Sequence, residues 1–304
     1  MSQTTVQSQN VQQWADEINE KSGGNISIEI FWSESMGKAT EMLSLLSSGA
    51  VDLGSLSPAY FPSQMPLTGV TQLPNVYPDV AAVSRVAHAL DATPEVQAEN
   101  AQNNLVPMFW TSLPVYHIVC SKKIASMSDF PGTRIRAYGE YVPQMWSSLG
   151  ATGVVTTATE QYEGIQRGAV DCAYAADDFS LNYNLYEVAD YYVDAGFGAI
   201  TNYPTYMNAA KWESLDENVQ NLFREASENA IARDVAEVES FAADARDEML
   251  SKGLELVEFT EPDALQEATP DFLELWATQM EERGAGTEAE AVMQVVRDNL
   301  SASN

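Results

Sequence analysis

Arginine and lysine are scarce in this chain, so the positions of the few that occur are informative. The chain has 15 Lys and Arg residues against 44 Asp and Glu. Arg134 and Arg136 stand two positions apart in residues 133–138, an alternating segment that predicts a strand. They share one strand face, and Arg136 lies nearer the carboxyl end. Its guanidinium is suited to hold a carboxylate through two parallel hydrogen bonds, and a surface ion pair is the alternative.

Residue patterns typical of catalysis are missing from the sequence. The two histidines, His88 and His117, do not have the spacing of metal ligands. There is no glycine-rich phosphate loop, no nucleophile elbow and no His-Glu-x-x-His motif. The sequence therefore predicts a binding protein with no catalytic residue, no cofactor and no metal site. An enzyme that uses Cys172 or Asp177 is the alternative, and no base-plus-nucleophile pattern supports it.

A duplicated unit belongs to the elements that would position a site. Residues 39–52 and 158–171 both read Ala-Thr-Glu and, after seven further residues, Gly-Ala-Val-Asp. Each copy predicts a short helix with Thr40 or Thr159 as its N-cap, a glycine at its end and a strand after it. Two copies of one helix–strand unit predict two similar lobes.

The loops that follow the two duplicated strands are candidate ligand sites. In open α/β sheets, ligands bind beyond the carboxyl ends of strands. Tyr138 follows Arg136 by two residues and is expected on the same face. The loops at residues 57–61 and 174–179 contain aromatic, hydroxyl and acidic side chains, which suit a small polar ligand. The candidates from these loops are Ser57, Tyr60, Tyr174 and Asp177.

The order of predicted elements indicates an α/β fold with mostly parallel sheets. Residues 216–252 contain no glycine or proline, so one bent helix or two in series, roughly 55 Å long, must cross both lobes. Strands are predicted at residues 26–31, 105–110, 115–120, 133–138 and 254–259. Further helices are predicted at residues 10–20, 80–90, 94–103, 262–283 and 287–300.

Length and charge restrict the possible domain organisation and the possible partners. A chain of 304 residues suits two domains better than one. A net charge of −29 leaves no basic surface for phosphates, which excludes nucleic acid and an anionic membrane as partners. No apolar run reaches the roughly 18 residues of a membrane span. The polar residues 1–4 show no signal peptide, which predicts a cytoplasmic protein, a processed chain or a late start.

The two cysteines, Cys120 and Cys172, form no metal pattern and no disulfide framework. Each lies in an apolar, strand-like run. Two buried free thiols are therefore the favoured interpretation, and a disulfide between them is the alternative.

Several segments resemble one known family, the extracytoplasmic solute receptors of tripartite ATP-independent periplasmic (TRAP) transporters, in their sequence, order and spacing. The similarity extends over nearly the whole chain. The similar segments are SGGNISIEI at 22–30, GAVD at 49–52, LP at 73–74, DFPGTRIR at 129–136, EQYEGIQRGAVD at 160–171 and NAAKWESL at 208–215.

The resemblance implies a two-lobed periplasmic-binding-protein fold of type II, with a long helix that spans both lobes. The expected division of the chain has four parts. Lobe one comprises residues 1–120 and 205–235, lobe two residues 121–204 and 254–260, the spanning helix residues 216–252, and helices that pack across the lobes residues 261–304.

The resemblance also implies a function and a site. It implies a periplasmic, monomeric receptor that closes over a small organic acid and delivers it to a membrane-embedded TRAP permease. It implies that Arg136 binds the ligand carboxylate and that Phe197 lies where some members place an aromatic ring. Some members have a second arginine about twenty residues earlier, where this chain has Tyr116. A monocarboxylate with a hydroxyl, keto or aromatic part is therefore expected, and a neutral or cationic ligand near Asp177 is the alternative.

Overall fold

The computed structural model describes residues 2–301 as two α/β lobes connected by a narrow ribbon and bridged by one long helix. The α-helices are α1 (Val6–Lys21), α2 (Met42–Ser47), α3 (Val80–Asp91), α4 (Pro94–Gln102), α5 (Val142–Ser148), α6 (Gln161–Gln166), α7 (Asp177–Asn182), α8 (Ala209–Ser214), α9 (Glu217–Ser251), α10 (Pro262–Ala268), α11 (Phe272–Glu282) and α12 (Gly286–Ser301). The strands are β1 (Leu53–Ser55), β2 (Leu105–Phe109), β3 (Ser112–Leu113), β4 (Tyr116–Cys120), β5 (Arg134–Ala137), β6 (Thr152–Val155), β7 (Cys172–Ala176), β8 (Tyr191–Asp194), β9 (Ile200–Thr201), β10 (Thr205–Asn208) and β11 (Glu255–Glu258).

Lobe one is built on a three-stranded antiparallel sheet with the order β1-β10-β2. Its register pairs Leu53 with Met207 on one side of β10. Helix α1 packs against this sheet through Trp14, whose ring centroid lies 5.2 Å from Phe109 and 5.6 Å from Phe223 of α9. The helical spacing of apolar residues in α1 produces this buried face.

Lobe two is built on a six-stranded mixed sheet with the order β11-β8-β4-β7-β5-β6. Strand β4 runs antiparallel to both of its neighbours, and the other pairs are parallel. Three of the five pairings in this sheet are thus parallel, but every pairing in the lobe-one sheet and in the β3–β9 pair is antiparallel, so the prediction of mostly parallel sheets is wrong. The physical reason is that β4 enters lobe two from the ribbon, opposite in direction to strands that follow helical crossovers within the lobe.

A two-stranded antiparallel ribbon of β3 and β9 carries the chain between the lobes. Beside it, Gln7 of α1 donates from Nε2 to the carbonyl of Ser112 at 3.0 Å and to Oδ2 of Asp178 at 2.8 Å. Asp178 is fully buried in the first turn of α7. This contact therefore joins the amino ends of two helices, one from each lobe.

The predicted long helix is one continuous helix, α9, of 35 residues. Asp216 caps it by accepting a hydrogen bond from the Val219 N–H at 3.0 Å. The helix packs against α1 and β2 in lobe one and against α7 in lobe two. Like the other helices of residues 2–301, it does not combine the length and apolar character that a membrane span requires.

The C-terminal helices also contact both lobes. Helix α12 packs against α3 and α4, and Trp276 of α11 donates to the Pro66 carbonyl at 3.0 Å. On the lobe-two side, Arg283 forms an ion pair with Glu140. These contacts are compatible with the division of the chain given above, which stays a prediction.

Both copies of the duplicated unit fold as a 3₁₀ turn followed by a short helix, α2 or α6. The predicted caps are wrong, because the N-caps are Lys38 and Thr157 rather than Thr40 and Thr159. In each copy a glutamate three residues after the cap accepts a hydrogen bond from the cap's backbone N–H. This capping-box arrangement places the start of each unit two residues earlier.

The segment predicted as a strand at residues 26–31 is extended but unpaired. Its alternation is real, since Ile26, Ile28 and Ile30 are half-buried against the core around Trp14. Residues 27–31, however, form no backbone hydrogen bond with any part of the chain from 2 to 301. The predicted strand at residues 26–31 is therefore not part of a sheet within residues 2–301, and a cavity separates it from β1.

Cys120 and Cys172 form a disulfide bond, so the interpretation as two free thiols is wrong. The antiparallel register of β4 and β7 places the two residues directly opposite each other, with their Cα atoms 4.0 Å apart. They are separated by 52 positions in sequence, and only the strand pairing brings them together.

We predict that reduction of this disulfide lowers the free energy of unfolding by about 3 kcal/mol, because the bond restricts the unfolded chain. Urea unfolding with and without dithiothreitol measures the difference. The control is the double variant Cys120→Ala, Cys172→Ala, whose unfolding is expected not to respond to dithiothreitol. An equal response of both proteins would contradict the prediction.

Burial raises the pKa of Asp178 to about 7, although its hydrogen bond from Gln7 acts in the opposite direction. The folded state therefore holds a proton that the unfolded state releases near pH 4, and stability falls as the pH rises from about 4 to about 7. We predict that Asp178→Asn, which cannot ionise, gains about 2 kcal/mol relative to the wild type between pH 5 and pH 8. Urea unfolding at the two pH values tests this. The exposed control Asp263→Asn should show no such gain, and a gain of equal size there would contradict the assignment.

Candidate functional site

Strand β5 places its two arginines in different surroundings. Arg134, at its start, is exposed and donates to Asp171 at 2.9 Å. Burial alone would raise the pKa of Asp171, but hydrogen bonds from Arg134 and Lys122 lower it to about 2. Arg136, two residues further along, is only 2% exposed. The strand face that the two share thus runs from the protein surface to a buried position.

The Arg136 guanidinium has backbone and aromatic partners. Nη1 donates to the carbonyl of Tyr174 at 2.9 Å, and Nε donates to the carbonyl of Thr156 at 3.3 Å. Its Cζ atom lies 4.5 Å from the centroid of the Tyr138 ring. Within residues 2–301, no carboxylate forms an ion pair with it. The pKa of Glu160 is lowered by hydrogen bonds from Thr157 and, to a smaller extent, by the charges of Lys38 and Arg136, but its carboxylate is bound to Thr157. A buried cation without a bonded counter-charge is costly, so this position suits an anion.

Six tyrosines, which we call the tyrosine cluster, surround this guanidinium closely enough to interact with its charge. Tyr174 is central, with its ring centroid 4.6 Å from Tyr116 and 6.0 Å from the stacked ring of Tyr138. On the side of lobe one and the ribbon, the hydroxyl oxygens of Tyr60 and Tyr203 lie 3.4 Å from each other. The members of the cluster are Tyr60, Tyr116, Tyr138, Tyr174, Tyr183 and Tyr203.

The protonation states in this cluster follow from burial. Burial alone lowers the pKa of Arg136, but the nearby tyrosines, led by Tyr60, raise it to a net value above the usual one. Burial raises the pKa of Tyr116, Tyr138 and Tyr174 well above the usual tyrosine value. The cluster therefore presents one permanent positive charge among neutral hydroxyls, which suits an anionic ligand with further polar groups.

Lobe one approaches the cluster through the turn that follows β1. Ser57 donates to Oε1 of Gln72 at 2.7 Å, so its hydroxyl is held within lobe one. Ala59, in the same turn, faces Gly139 of lobe two. Gly139 has a φ of +61°, and a Cβ atom there would lie 3.1 Å from the Ala59 Cβ. The lobes are therefore in close contact one residue beyond Tyr138.

Two predicted site residues lie outside the immediate surroundings of Arg136. Oδ1 of Asp177 lies 3.2 Å from Nδ1 of His117, and its Oδ2 accepts a hydrogen bond from Tyr192 at 3.1 Å. Its carboxylate is thus occupied by other residues of lobe two. Phe197 is completely buried and packs edge-on against Tyr174 at 5.7 Å, so it supports the cluster from the core. The structure brings together Arg136, Tyr138, Tyr174 and Tyr60, places Phe197 against Tyr174, and holds Ser57 on Gln72 within lobe one.

Sequence reasoning did not select Tyr116, Tyr183 or Tyr203 as site residues. Tyr116 lies just after β3, and Tyr203 lies just after β9. Because β3 and β9 are antiparallel, the two tyrosines leave opposite ends of the ribbon, and both interact with the charge of Arg136 from there. Their position near Arg136 depends on contacts between distant segments, which no local sequence motif indicates. In the described chain, no three His, Cys, Asp or Glu side chains converge as metal ligands would.

Two cavities adjoin the cluster. A small one of about 30 Å³ lies between the turn at Ala59 and the Tyr138–Gly139 segment. A large one of about 680 Å³ lies mainly in lobe one and reaches Tyr203, and it is also lined by Ala158, Thr159 and Tyr183 of lobe two. Neither of the two is lined by Arg136. Arg136 is almost completely buried in this arrangement of the lobes.

Two lobes that meet over a buried arginine, with a ribbon between them, define the class of two-lobed solute-binding proteins. The family described as bacterial extracellular solute-binding protein, family 7 (DctP), matches residues 1–283, and the chain belongs to this family. This confirms the resemblance found in the sequence.

Three relatives illustrate the range of similarity. The "Uncharacterized protein YiiZ" of Salmonella typhimurium is 28% identical over 58% of this chain, and the chain spans about half (54%) of its length. A TRAP periplasmic solute binding protein from Chromohalobacter salexigens with bound D-glucuronate has a TM-score of 0.85 at 19% identity, over 98% of this chain and 97% of that one. A marine metagenome TRAP solute binding protein specific for pyroglutamate has a TM-score of 0.85 at 18% identity, over 98% of this chain and 96% of that one. The last two share the fold and confirm the predicted two-lobed α/β architecture.

The contact of Gly139 with Ala59 predicts that Gly139→Ala hinders lobe closure. The control is Gly132→Ala in the same lobe, where φ is +81° but no atom lies within 4 Å of a new Cβ. Both variants should lose about 1 kcal/mol of stability through the left-handed backbone. Only Gly139→Ala is expected to increase the radius of gyration in small-angle X-ray scattering. An unchanged radius for Gly139→Ala would show that the contact does not limit closure.

Proposed function

We propose that the protein binds the carboxylate of a small organic acid at Arg136, in the cleft between its lobes. The observation that carries this proposal is a guanidinium that is 2% exposed and has no carboxylate partner within residues 2–301. A ligand carboxylate would supply the missing counter-charge. In a closed site such a pair is strong, because water does not screen it.

The tyrosine cluster would hold the remainder of the ligand. Tyr60 and Tyr203 approach from the side of lobe one, whereas Tyr138 and Tyr174 belong to lobe two, so a ligand between them would contact both lobes. Such a ligand stabilises the closed arrangement because the open one offers only half of these contacts. The residues that we propose for binding are Arg136, Tyr138, Tyr60 and Tyr174, with Ser57 and Phe197 as their support.

We propose a monocarboxylate with a hydroxyl, keto or aromatic part as the ligand class. Tyr116 rather than a second arginine lies beside Tyr174, so the cluster offers one guanidinium to one carboxylate. The D-glucuronate and pyroglutamate bound by the two structural neighbours each carry a single carboxylate and further polar groups, in agreement with this class.

The role that we propose is delivery of the acid to a membrane-embedded TRAP permease, by a monomer in the periplasm and without chemical conversion. Membership of an extracellular solute-binding family supports this role. A cationic ligand is less well supported than an acid, because the Asp177 carboxylate that would attract it is already bound by His117 and Tyr192.

We predict that Arg136→Ala weakens acid binding by at least roughly a hundredfold, about 3 kcal/mol, because a buried charge pair is lost. Isothermal titration calorimetry with D-glucuronate, D-galacturonate, pyroglutamate and a panel of keto and aromatic monocarboxylates measures this. Arg134→Ala is the matched control, since it removes the same side chain from the same strand at an exposed position.

The two variants together make the test decisive. Loss of binding in Arg136→Ala alone, with both variants folded by circular dichroism, supports the proposal. Equal affinities of the wild type and Arg136→Ala for the acid that binds would contradict it. So would binding of amines and no acid by the wild type.

A further inference from the structure

One ion pair at the boundary between the lobes has no part in the proposed ligand site. Arg283, at the end of α11, pairs with Glu140. Glu140 lies two residues after Tyr138 of the tyrosine cluster, in the segment between β5 and α5. Arg283 and Glu140 both line the small cavity where the turn at Ala59 meets Gly139. The ion pair is therefore located where the two lobes are in contact.

Helices α11 and α12, which we call the C-terminal hairpin, are attached to lobe one. Helix α12 packs against α3 and α4, and α4 in turn packs against β2. Trp276 of α11 is 1% exposed and donates from Nε1 to the carbonyl of Pro66 at 3.0 Å. Trp276 and Arg283 are about two helical turns apart, so they lie on the same face of α11. This face thus contacts lobe one at Trp276 and lobe two at Arg283.

The ends of two helices hold the two charged residues. Arg283 is the C-cap of α11, where the helix dipole favours a cation. Glu140 immediately precedes Tyr141, the N-cap of α5, where the helix dipole favours an anion. The Glu140 carbonyl accepts a hydrogen bond from Nε2 of Gln144 at 3.0 Å, which attaches this residue to α5. The distance between the two charges is thus set by how α11 and α5 lie relative to each other.

We propose that Glu140 and Arg283 form a latch that holds the lobes closed over a bound acid. The latch breaks when lobe two rotates away from the C-terminal hairpin, so its attraction belongs to the closed arrangement alone. Because Tyr138 moves with Glu140, the latch also positions one wall of the ligand site. It therefore slows the release of the acid and leaves the contacts at Arg136 as they are. This inference rests on the proposed function for the acid, but the latch itself needs no ligand.

The exposure of the latch determines the size of its effect. The side chains of Arg283 and Glu140 are 40% and 29% exposed, respectively. Water and salt screen such a pair, so its loss changes an equilibrium only about twofold to fivefold. An attraction of this size shifts the balance between open and closed lobes without locking them closed.

The rate at which an acid dissociates measures the latch. Glu140→Gln and Arg283→Gln, the two latch variants, each remove one charge and keep a polar side chain. The probe is the acid that binds most tightly among D-glucuronate, D-galacturonate, pyroglutamate and the keto and aromatic monocarboxylates of the calorimetric panel. In stopped-flow fluorescence we expect each latch variant to release it about threefold faster, with an almost unchanged association rate. The double variant should be no faster than either single variant, because the pair is lost only once.

The matched control is Arg297→Gln. Arg297 forms an ion pair with Glu274 that joins α12 to α11 within the C-terminal hairpin, and the two side chains are 49% and 54% exposed. Its loss should leave the dissociation rate unchanged. In about 1 M sodium chloride, where the Debye length is about 3 Å, the wild type should approach the rate of the latch variants. Circular dichroism confirms that all variants fold.

A measurement without ligand separates the latch from the proposed function. Spin labels are attached to Ser44→Cys in α2 of lobe one and to Gln166→Cys in α6 of lobe two, both at exposed positions. Cys120 and Cys172 do not react with the label, because they are bonded to each other. Double electron–electron resonance is expected to show a larger share of long distances in the latch variants than in the wild type. The control variant should have the distances of the wild type.

Three results would overturn the latch. The first is an unchanged dissociation rate together with unchanged label distances in both latch variants. The second is an equal change in Arg297→Gln, and the third is an additive effect in the double variant, which would show that each charge acts without the other. If no acid of the panel binds the wild type, the proposed function fails, and the label distances alone decide whether the latch exists.

Discussion

The structure depends on one buried positive charge at the boundary between two lobes. The Arg136 guanidinium keeps its charge because no accessible pH removes a proton from arginine. Two carbonyls and one aromatic face satisfy part of it, but they carry no full negative charge. In the proposed function an anion would supply the missing counter-charge, and the neighbouring tyrosines would offer it hydroxyl groups. The proposed preference for an anion thus depends both on the arginine and on the lack, within residues 2–301, of a carboxylate that forms an ion pair with it.

The architecture places this charge where motion can expose it. The contacts that cross the boundary include the Gln7–Asp178 hydrogen bond beside the ribbon and the Ala59–Gly139 contact at the turn after β1. Helix α9 packs on both lobes, so it restricts how they can move relative to each other. The charge thus lies between two lobes that share a ribbon and a long helix.

The sequence predicted features that depend on neighbouring residues, and it failed where distant segments decide. The scarcity of basic residues identified Arg136, and strand periodicity identified Tyr138. The alternation at residues 26–31 was detected, but pairing requires a partner strand that no local pattern reveals. Tyr203 reaches the cluster through the ribbon, and Asp177 turns its carboxylate toward another part of lobe two. Both depend on tertiary contacts, which periodicity does not encode.

The disulfide has a topological consequence for lobe two. It converts residues 120–172 into a covalent ring that contains β5 and therefore Arg136. A single cleavage by a protease inside this ring leaves both new ends on one molecule, still linked through the sulfur atoms. A cleaved protein of this kind keeps the arginine strand tethered beside β7, whose Tyr174 carbonyl holds the guanidinium. Where proteases are abundant, hydrolysis of one peptide bond in residues 120–172 would therefore not release the segment that contains Arg136.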